Sequence, residues 1–241
     1  RVINELEKWK YNTENPPMIE ISMAGNVNDR SSITAKMTLS VRDMEKNGHR
    51  LDELSAEAAL SGDILTITSL HASDRRGVFR GQIDYNLQDQ EGRFDVFSSL
   101  EIPRLMTAWL GLPTMRSMNI SGDQTLEAQG EFQVDENHVP HLQLTGHARC
   151  ESVQLNDVSF DSVEFAFSSR EDRTFLQHVS LVRPDGLATG KAMIEWPSVR
   201  LQLHSTLPVS VYRPFFVGKP LEKVLNDFTE RKGAQVDVML E

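Results

Sequence analysis

Ile33-Thr34-Ala35-Lys36-Met37-Thr38-Leu39-Ser40-Val41 alternates apolar and polar side chains without a break. A period of two places Ile33, Ala35, Met37, Leu39 and Val41 on one side of an extended chain and the polar residues on the other. That is the pattern of a half-buried β-strand. Upstream, Ile19, Ile21 and Met23 alternate with Glu20, Ser22 and Ala24 and read the same way. Downstream come further runs at 54–60, 64–70, 78–87 and 94–100. They are separated by turn-forming groups: Ser61-Gly62-Asp63, Asp74-Arg75-Arg76-Gly77 and Gln90-Glu91-Gly92. Such close spacing leaves no room for crossover helices, so the strands should form antiparallel meanders.

Three segments depart from the alternation. Val2, Ile3, Leu6 and Trp9 recur at helical spacing within residues 1–11, and Asn15-Pro16-Pro17 closes that segment. Residues 102–111, with Pro103 near the start and Gly111 past the end, predict a short helix. The stretch 209–231 is non-strand. Its later part, with Leu221, Val224, Leu225 and Phe228 on one face and Gly233 beyond, predicts an amphipathic helix. Strands are expected at 118–120, 126–134, 142–155 and again from 235.

Sliding the chain against itself by about 109 residues reveals an internal repeat. Leu51, Leu54, Ala56 and Ala58 fall on Phe160, Val163, Phe165 and Phe167, and Leu70 falls on Val179. Gly77 and Gly81 fall on Gly186 and Gly190. Phe94, Val96 and Leu100 fall on Leu203, Ser205 and Val209, and Arg104 on Arg213, in a register without a gap. Shared alternation and shared glycines carry the repeat better than residue identity does. Gly77 and Gly186 are expected to supply a positive backbone dihedral at hairpin turns, and Gly81 and Gly190 a bulge or close approach inside a strand.

The implied organisation is an N-terminal helix and linker at 1–17, a first β repeat with a short helix at 18–112, a second with a helix at 113–232, and the start of a further strand at 233–241. The fold class is mainly β: an elongated, curved antiparallel sheet, open as a groove or sandwich-like, made of two repeats with a short helix after each meander.

Composition narrows the function. The 241 residues are 39% hydrophobic and 25% charged, which suits a folded chain able to bury a core. A net charge of −10 argues against nucleic acid and against anionic membrane surfaces, which demand clustered Lys and Arg. The single cysteine, Cys150, permits no internal disulfide and reads as a small buried residue. No stretch approaches the length of a bilayer span, and the chain begins at Arg1, which suggests a fragment whose anchor or signal would lie upstream.

The chemistry-bearing residues form no catalytic set. His138 and His141, with His147 nearby, are the densest histidines, but their position on a polar strand face makes solvated side chains the simpler reading than zinc. Asp157, Asp161, Glu164, Glu171 and Asp172 lie in turns or on polar faces without the spacing of an acid–base pair. No phosphate-binding loop or nucleophile elbow occurs, and Asn119-Ile120-Ser121 is an isolated glycosylation sequon. Trp109 suits the apolar side of the short helix, and Trp196 suits either a cap over a sheet end or a stacking surface. The reading is a non-enzyme with no cofactor and no metal.

The order of elements, with Gly77-Val78-Phe79-Arg80-Gly81 and then Phe94-Asp95-Val96-Phe97 in one copy and Phe160 to Phe167 followed by Gly186-Leu187-Ala188-Thr189-Gly190 in the other, resembles the AsmA-like and TamB-like proteins of the bacterial envelope over residues 34–216. The resemblance implies an apolar β-groove in a periplasmic protein of a Gram-negative-type envelope, anchored in the inner membrane by a segment outside this chain. It further implies a part in phospholipid transport or outer-membrane assembly, with other envelope proteins as partners. Leu54, Ala56, Ala58, Phe94, Val96, Val163, Phe165, Phe167, Leu201 and Leu203 would then line a groove for acyl chains. The same positions could equally be plain core. A structural β module that binds protein or glycan is the alternative.

Overall fold

The structure is a computed structural model that describes residues 10–26, 28–46, 48–101, 118–136, 139–171, 173–195, 198–215, 217–218 and 236–240. The predicted helices at 102–111 and 221–228, together with Trp109, Trp196 and His138, lie outside these residues. So does most of the predicted N-terminal helix. Its last two residues, Lys10–Tyr11, form strand β1 instead, paired with Glu45 and Met44.

The remaining elements are β2 (Met18–Asn26), β3 (Asp29–Lys46), β4 (His49–Ser61), β5 (Ile64–Ser73), β6 (Val78–Asn86), β7 (Glu91–Ser98), β8 (Met118–Ile120), β9 (Gln124–Val134), β10 (Pro140–Leu155), β11 (Val158–Arg170), β12 (Arg173–Arg183), β13 (Gly186–Glu195), β14 (Ser198–Ser205) and β15 (Val236–Leu240). Two 3-10 turns, Val209–Val211 and Arg213–Phe215, follow β14. The fold is mainly β, antiparallel and open.

Two compact units divide the chain. The first comprises residues 1–113 and 125–144, the second residues 114–124 and 145–241. In the first, hydrogen bonds link β3-β4-β5-β6-β7-β9 in that order, with β1 and β2 both on the outer side of β3. In the second, β10-β11-β12-β13-β14-β15 follow in order, and β8 pairs with the end of β10. Short turns join most neighbouring strands, from β2 to β7 and from β9 to β14, which is why sequence neighbours become sheet neighbours there.

The repeat is present, with one correction. Strands β4 and β11 start and end 109 residues apart, and the bulge between Ile67 and Leu70 recurs between Leu176 and Val179. Asp43 (φ 54°) and Ser152 (φ 51°), also 109 apart, both adopt the left-handed backbone uncommon for residues with a Cβ. The register does not continue without a gap, however. Gly81 pairs with Val96 and Gly190 with Leu203, so the offset falls to 107 in β7 and β14. The β6–β7 turn is two residues longer than its counterpart, and Phe94 and Val96 correspond to Leu201 and Leu203.

That shift exposes a shared cap. Ser99 N–H donates to the Val78 carbonyl (2.7 Å), and Ser99 Oγ accepts from Val78 N–H (3.0 Å). Thr206 makes the same two bonds with Leu187, at 2.9 and 3.0 Å. Ser98 Oγ accepts from Leu100 N–H, and Ser205 Oγ from Leu207 N–H. Leu100 and Leu207 are each only 1% exposed. Leu100 packs with Val41, Met44, Leu51 and Ala72; Leu207 packs with Cys150, Val153, Phe160 and Ala188. Val41, Met44 and Leu51 stand 109 residues before Cys150, Val153 and Phe160, so each unit closes one end of its sheet with the same small core. In the second unit Val209, Val211 and Tyr212 from the 3-10 turns thicken it, and Tyr212 O–H donates to Ser205 Oγ.

Gly77 serves this cap rather than a positive dihedral. A Cβ placed on Gly77 would stand 2.1 Å from the Ser99 carbonyl oxygen, with no positive φ involved. Gly186 does carry the expected positive φ (157°), and its corresponding contact is Thr206 O at 2.9 Å. Both glycines let the chain leaving the sheet lie against the turn that enters β6 or β13.

Candidate functional site

Beyond the capped end, the register of the first unit assembles an apolar face in cross-strand rows. Leu39 pairs with Ala56, Ala56 with Leu70, Leu70 with Gly81, Gly81 with Val96, and Val96 with Ala128. The next row runs Ile21, Met37, Ala58, Ile67, Ile83, Phe94, Gly130. A third runs Met23, Ala35, Leu60, Leu65, Tyr85, Gly92, Phe132. The other face pairs Lys36 with Ala59, Thr66 with Asp84, Asp84 with Arg93, and Arg93 with Glu131. Alternation within each strand thus becomes segregation across the whole unit.

Leu54, Ala56, Ala58, Phe94 and Val96 all lie on this face. Leu54 sits nearest the cap, between Val41 and Ala72 and against the small core. Ala56 and Ala58 are buried, whereas Phe94 and Val96 are half-buried. In the second unit Val163 pairs with Leu181 and Phe167 with Leu176. Ala192 pairs with Leu201 and Gly190 with Leu203. Phe165 belongs to the same face, its ring centroid 6.2 Å from that of Phe167. The ten positions therefore form one apolar set in each unit. Of these, Val163, Leu201 and Leu203 belong to or touch the small core of the second unit.

Most of the face is neither fully buried nor free. Leu39, Leu65, Ile67, Leu70, Ile83 and Phe94 are half-buried, and Met37 is 36% exposed. A single sheet layer explains this, because a strand's neighbours cover its flanks while nothing among the described residues of the unit covers its top. At the far end of the third row, Tyr85 and Phe132 stack across Gly92 with centroids 5.6 Å apart. The Phe132 ring occupies the space that a side chain on Gly92 would need.

Strand β2 departs from its half-buried reading. All nine residues are exposed, including Ile19 (57%), Ile21 (62%) and Met23 (70%). Among the described residues it pairs with β3 alone, so its apolar side chains have a described neighbour strand on one flank only.

One buried polar pair holds the capped end of the sheet. His49 Nε2 and Asp74 Oδ2 are 3.1 Å apart, with side chains 4% and 5% exposed. Burial alone would raise the Asp74 carboxyl. The His49 ring and the backbone N–H groups of Arg76, Glu101 and Gly77 more than offset it and bring the pKa down to about 2. Asp74 thereby ties the β5–β6 turn to the cap. Sequence reading missed this pair because alternation carries no information about a turn carboxylate meeting a histidine 25 residues away.

His141 reaches Asp135 (3.4 Å) and His147 reaches Glu164 (3.0 Å), each at the surface. Asp161 and Glu164 alternate with the apolar side chains of β11. Cys150 is buried, and burial pushes its thiol up. Among the described residues no three His, Cys, Asp or Glu side chains converge as metal ligands, and no helix is long and apolar enough to cross a membrane. No protein-family model, no curated protein and no solved structure matches this chain.

Proposed function

We propose that this chain is a non-catalytic lipid-handling segment whose apolar sheet face takes acyl chains. The observation that supports the reading is the continuous, half-covered apolar face of the first unit, rowed across β3 to β9. Covering such a face with methylene groups gains about 0.8 kcal/mol for each one buried. An acyl chain lying across the strands supplies many of them without directional demands. Together with the resemblance of the repeat to AsmA-like and TamB-like proteins, this favours phospholipid transport or outer-membrane assembly from the periplasm, with an inner-membrane anchor outside these residues.

Native mass spectrometry of the purified chain tests the proposal. Phospholipid adducts are expected, and Phe94→Asp, a change at a half-buried position in the second row, is expected to remove at least about nine-tenths of them, since an unpaired carboxylate buried under hydrocarbon is costly. Absence of lipid from both proteins counts against it.

A second reading rests on β2. Its exposed strand, with Ile19, Ile21 and Met23 on one face, offers an edge that is unpaired among the described residues, of the kind that accepts an added strand. Binding of an extended protein segment there would make the chain an interaction module.

A further inference from the structure

The two ends of the first unit's sheet are unlike, and the difference bears on which lipid the apolar face would take. This inference rests on the lipid-handling reading. One end is sealed: Leu100, Met44 and Leu51 fill it, and the Asp74 turn and Ser98–Ser99 segment lie against it. An acyl chain cannot emerge there. The opposite end is formed by the β2–β3, β4–β5, β6–β7 and β9–β10 turns and carries no such plug among the described residues. Backbone bonds from Gly62 N–H to Ile33 O, Leu87 N–H to Asp63 O, and Val134 N–H to Gln90 O bind these turns into one rim. A headgroup attached to a chain on the apolar face has this rim as its way out to water.

The rim is strongly acidic. Residues 26–32, 61–64, 86–91 and 134–141 contain Asp29, Asp63, Asp89, Glu91, Asp135 and Glu136 against the single arginine Arg30. His141 is engaged by Asp135. Arg93, early in β7, is 2.9 Å from Asp84 on the polar face. The sealed end is mixed in sign: Arg50, Arg75 and Arg76 stand there with Asp43, Asp52 and Asp74, and Arg50 pairs with Asp43 and Asp52. The Tyr85–Phe132 stack borders the acidic rim and presents aromatic surface where an ammonium group would pass.

We infer that the apolar face of the first unit takes lipids with zwitterionic, amine-bearing headgroups and disfavours lipids whose headgroup is a net anion. The recognition is electrostatic and acts near the rim. Carboxylates within a Debye length of roughly 8 Å of a phosphodiester repel it, and a terminal ammonium offsets that repulsion while an uncharged glycerol does not.

The test uses the full chain, EDTA to prevent bridging by divalent cations, and fluorescent phosphatidylethanolamine and phosphatidylglycerol with identical acyl chains. At low salt, phosphatidylethanolamine is expected to bind about tenfold more tightly, a preference that shrinks severalfold in 0.5 M NaCl. The triple variant Asp63→Lys, Asp89→Lys, Glu136→Lys changes only turn side chains and is expected to abolish or reverse it. Equal binding of the two lipids, or an unchanged ratio in the variant, overturns the headgroup inference and leaves the acyl-chain reading standing. Failure of both lipids to bind overturns the two together.

Discussion

Gly77→Ala is expected to destabilise the protein by roughly 1–3 kcal/mol, the range for forcing atoms into a packed site. The new methyl would lie 2.1 Å from the Ser99 carbonyl oxygen and 2.4 Å from its carbon, both backbone atoms. Relief requires the cap to lift, which breaks the two Ser99–Val78 bonds and withdraws Leu100 from its core. Gly81→Ala makes the comparison. It has no positive φ, and its nearest contacts are the side chains of Val96 at 3.1 Å and Phe79 at 3.3 Å, so a shift of a few tenths of an ångström suffices and the loss should be smaller. Denaturant midpoints of the two variants check this. Equal losses would mean that the caps do not work as described.

Asp74→Ala is expected to cost roughly 3 kcal/mol, because it removes the carboxylate from the buried His49 ring and takes an acceptor from the backbone N–H groups of Arg76, Gly77 and Glu101. His49→Val should cost less. Valine already occupies the equivalent place, Val158, and the turn bonds to Asp74 survive the change. The pH dependence follows from the depressed carboxyl. Its contribution, about 2 kcal/mol for a fall from 3.8 to about 2, is complete above the unfolded carboxylate's pKa near 4. It is lost as pH falls through about 2. The stability gap between wild type and Asp74→Ala should therefore be level above pH 5 and narrow steadily below pH 4. A gap independent of pH across that range would show that the carboxylate's charge contributes nothing.

How much of this was legible follows from what alternation encodes. The strand from Ile33 to Val41 announced its buried side residue by residue, and the pairing of such strands was enough to predict the meander and to place Ala56, Ala58, Phe94 and Val96 on one face. The repeat was legible through β4 and β11 because those strands share length and phase. It was misaligned after Gly81 because a turn can gain two residues at little energetic cost, and no periodicity crosses a turn. With that gap allowed, Ser98-Ser99-Leu100 falls on Ser205-Thr206-Leu207, a signal in the sequence strong enough to have found the cap. Gly77 was assigned a backbone dihedral because that is a glycine's commonest use. Its actual partner, Ser99, follows the end of β7, and close approach between distant segments leaves no local trace. Strand β2 shows the opposite limit: its pattern is correct for a strand, but alternation does not reveal whether a second neighbour covers it.

The acyl-chain face is tested most directly by photo-crosslinking with a diazirine-bearing fatty acid or phospholipid and mapping the adducts by peptide mass spectrometry. Adducts are expected on Leu39, Ile67, Ile83 and Phe94, which share the apolar face, and not on Thr38, Thr66, Asp84 or Asp95 beside them in the same strands. Adducts spread equally over both sets, or confined to β2, would contradict an acyl-binding face.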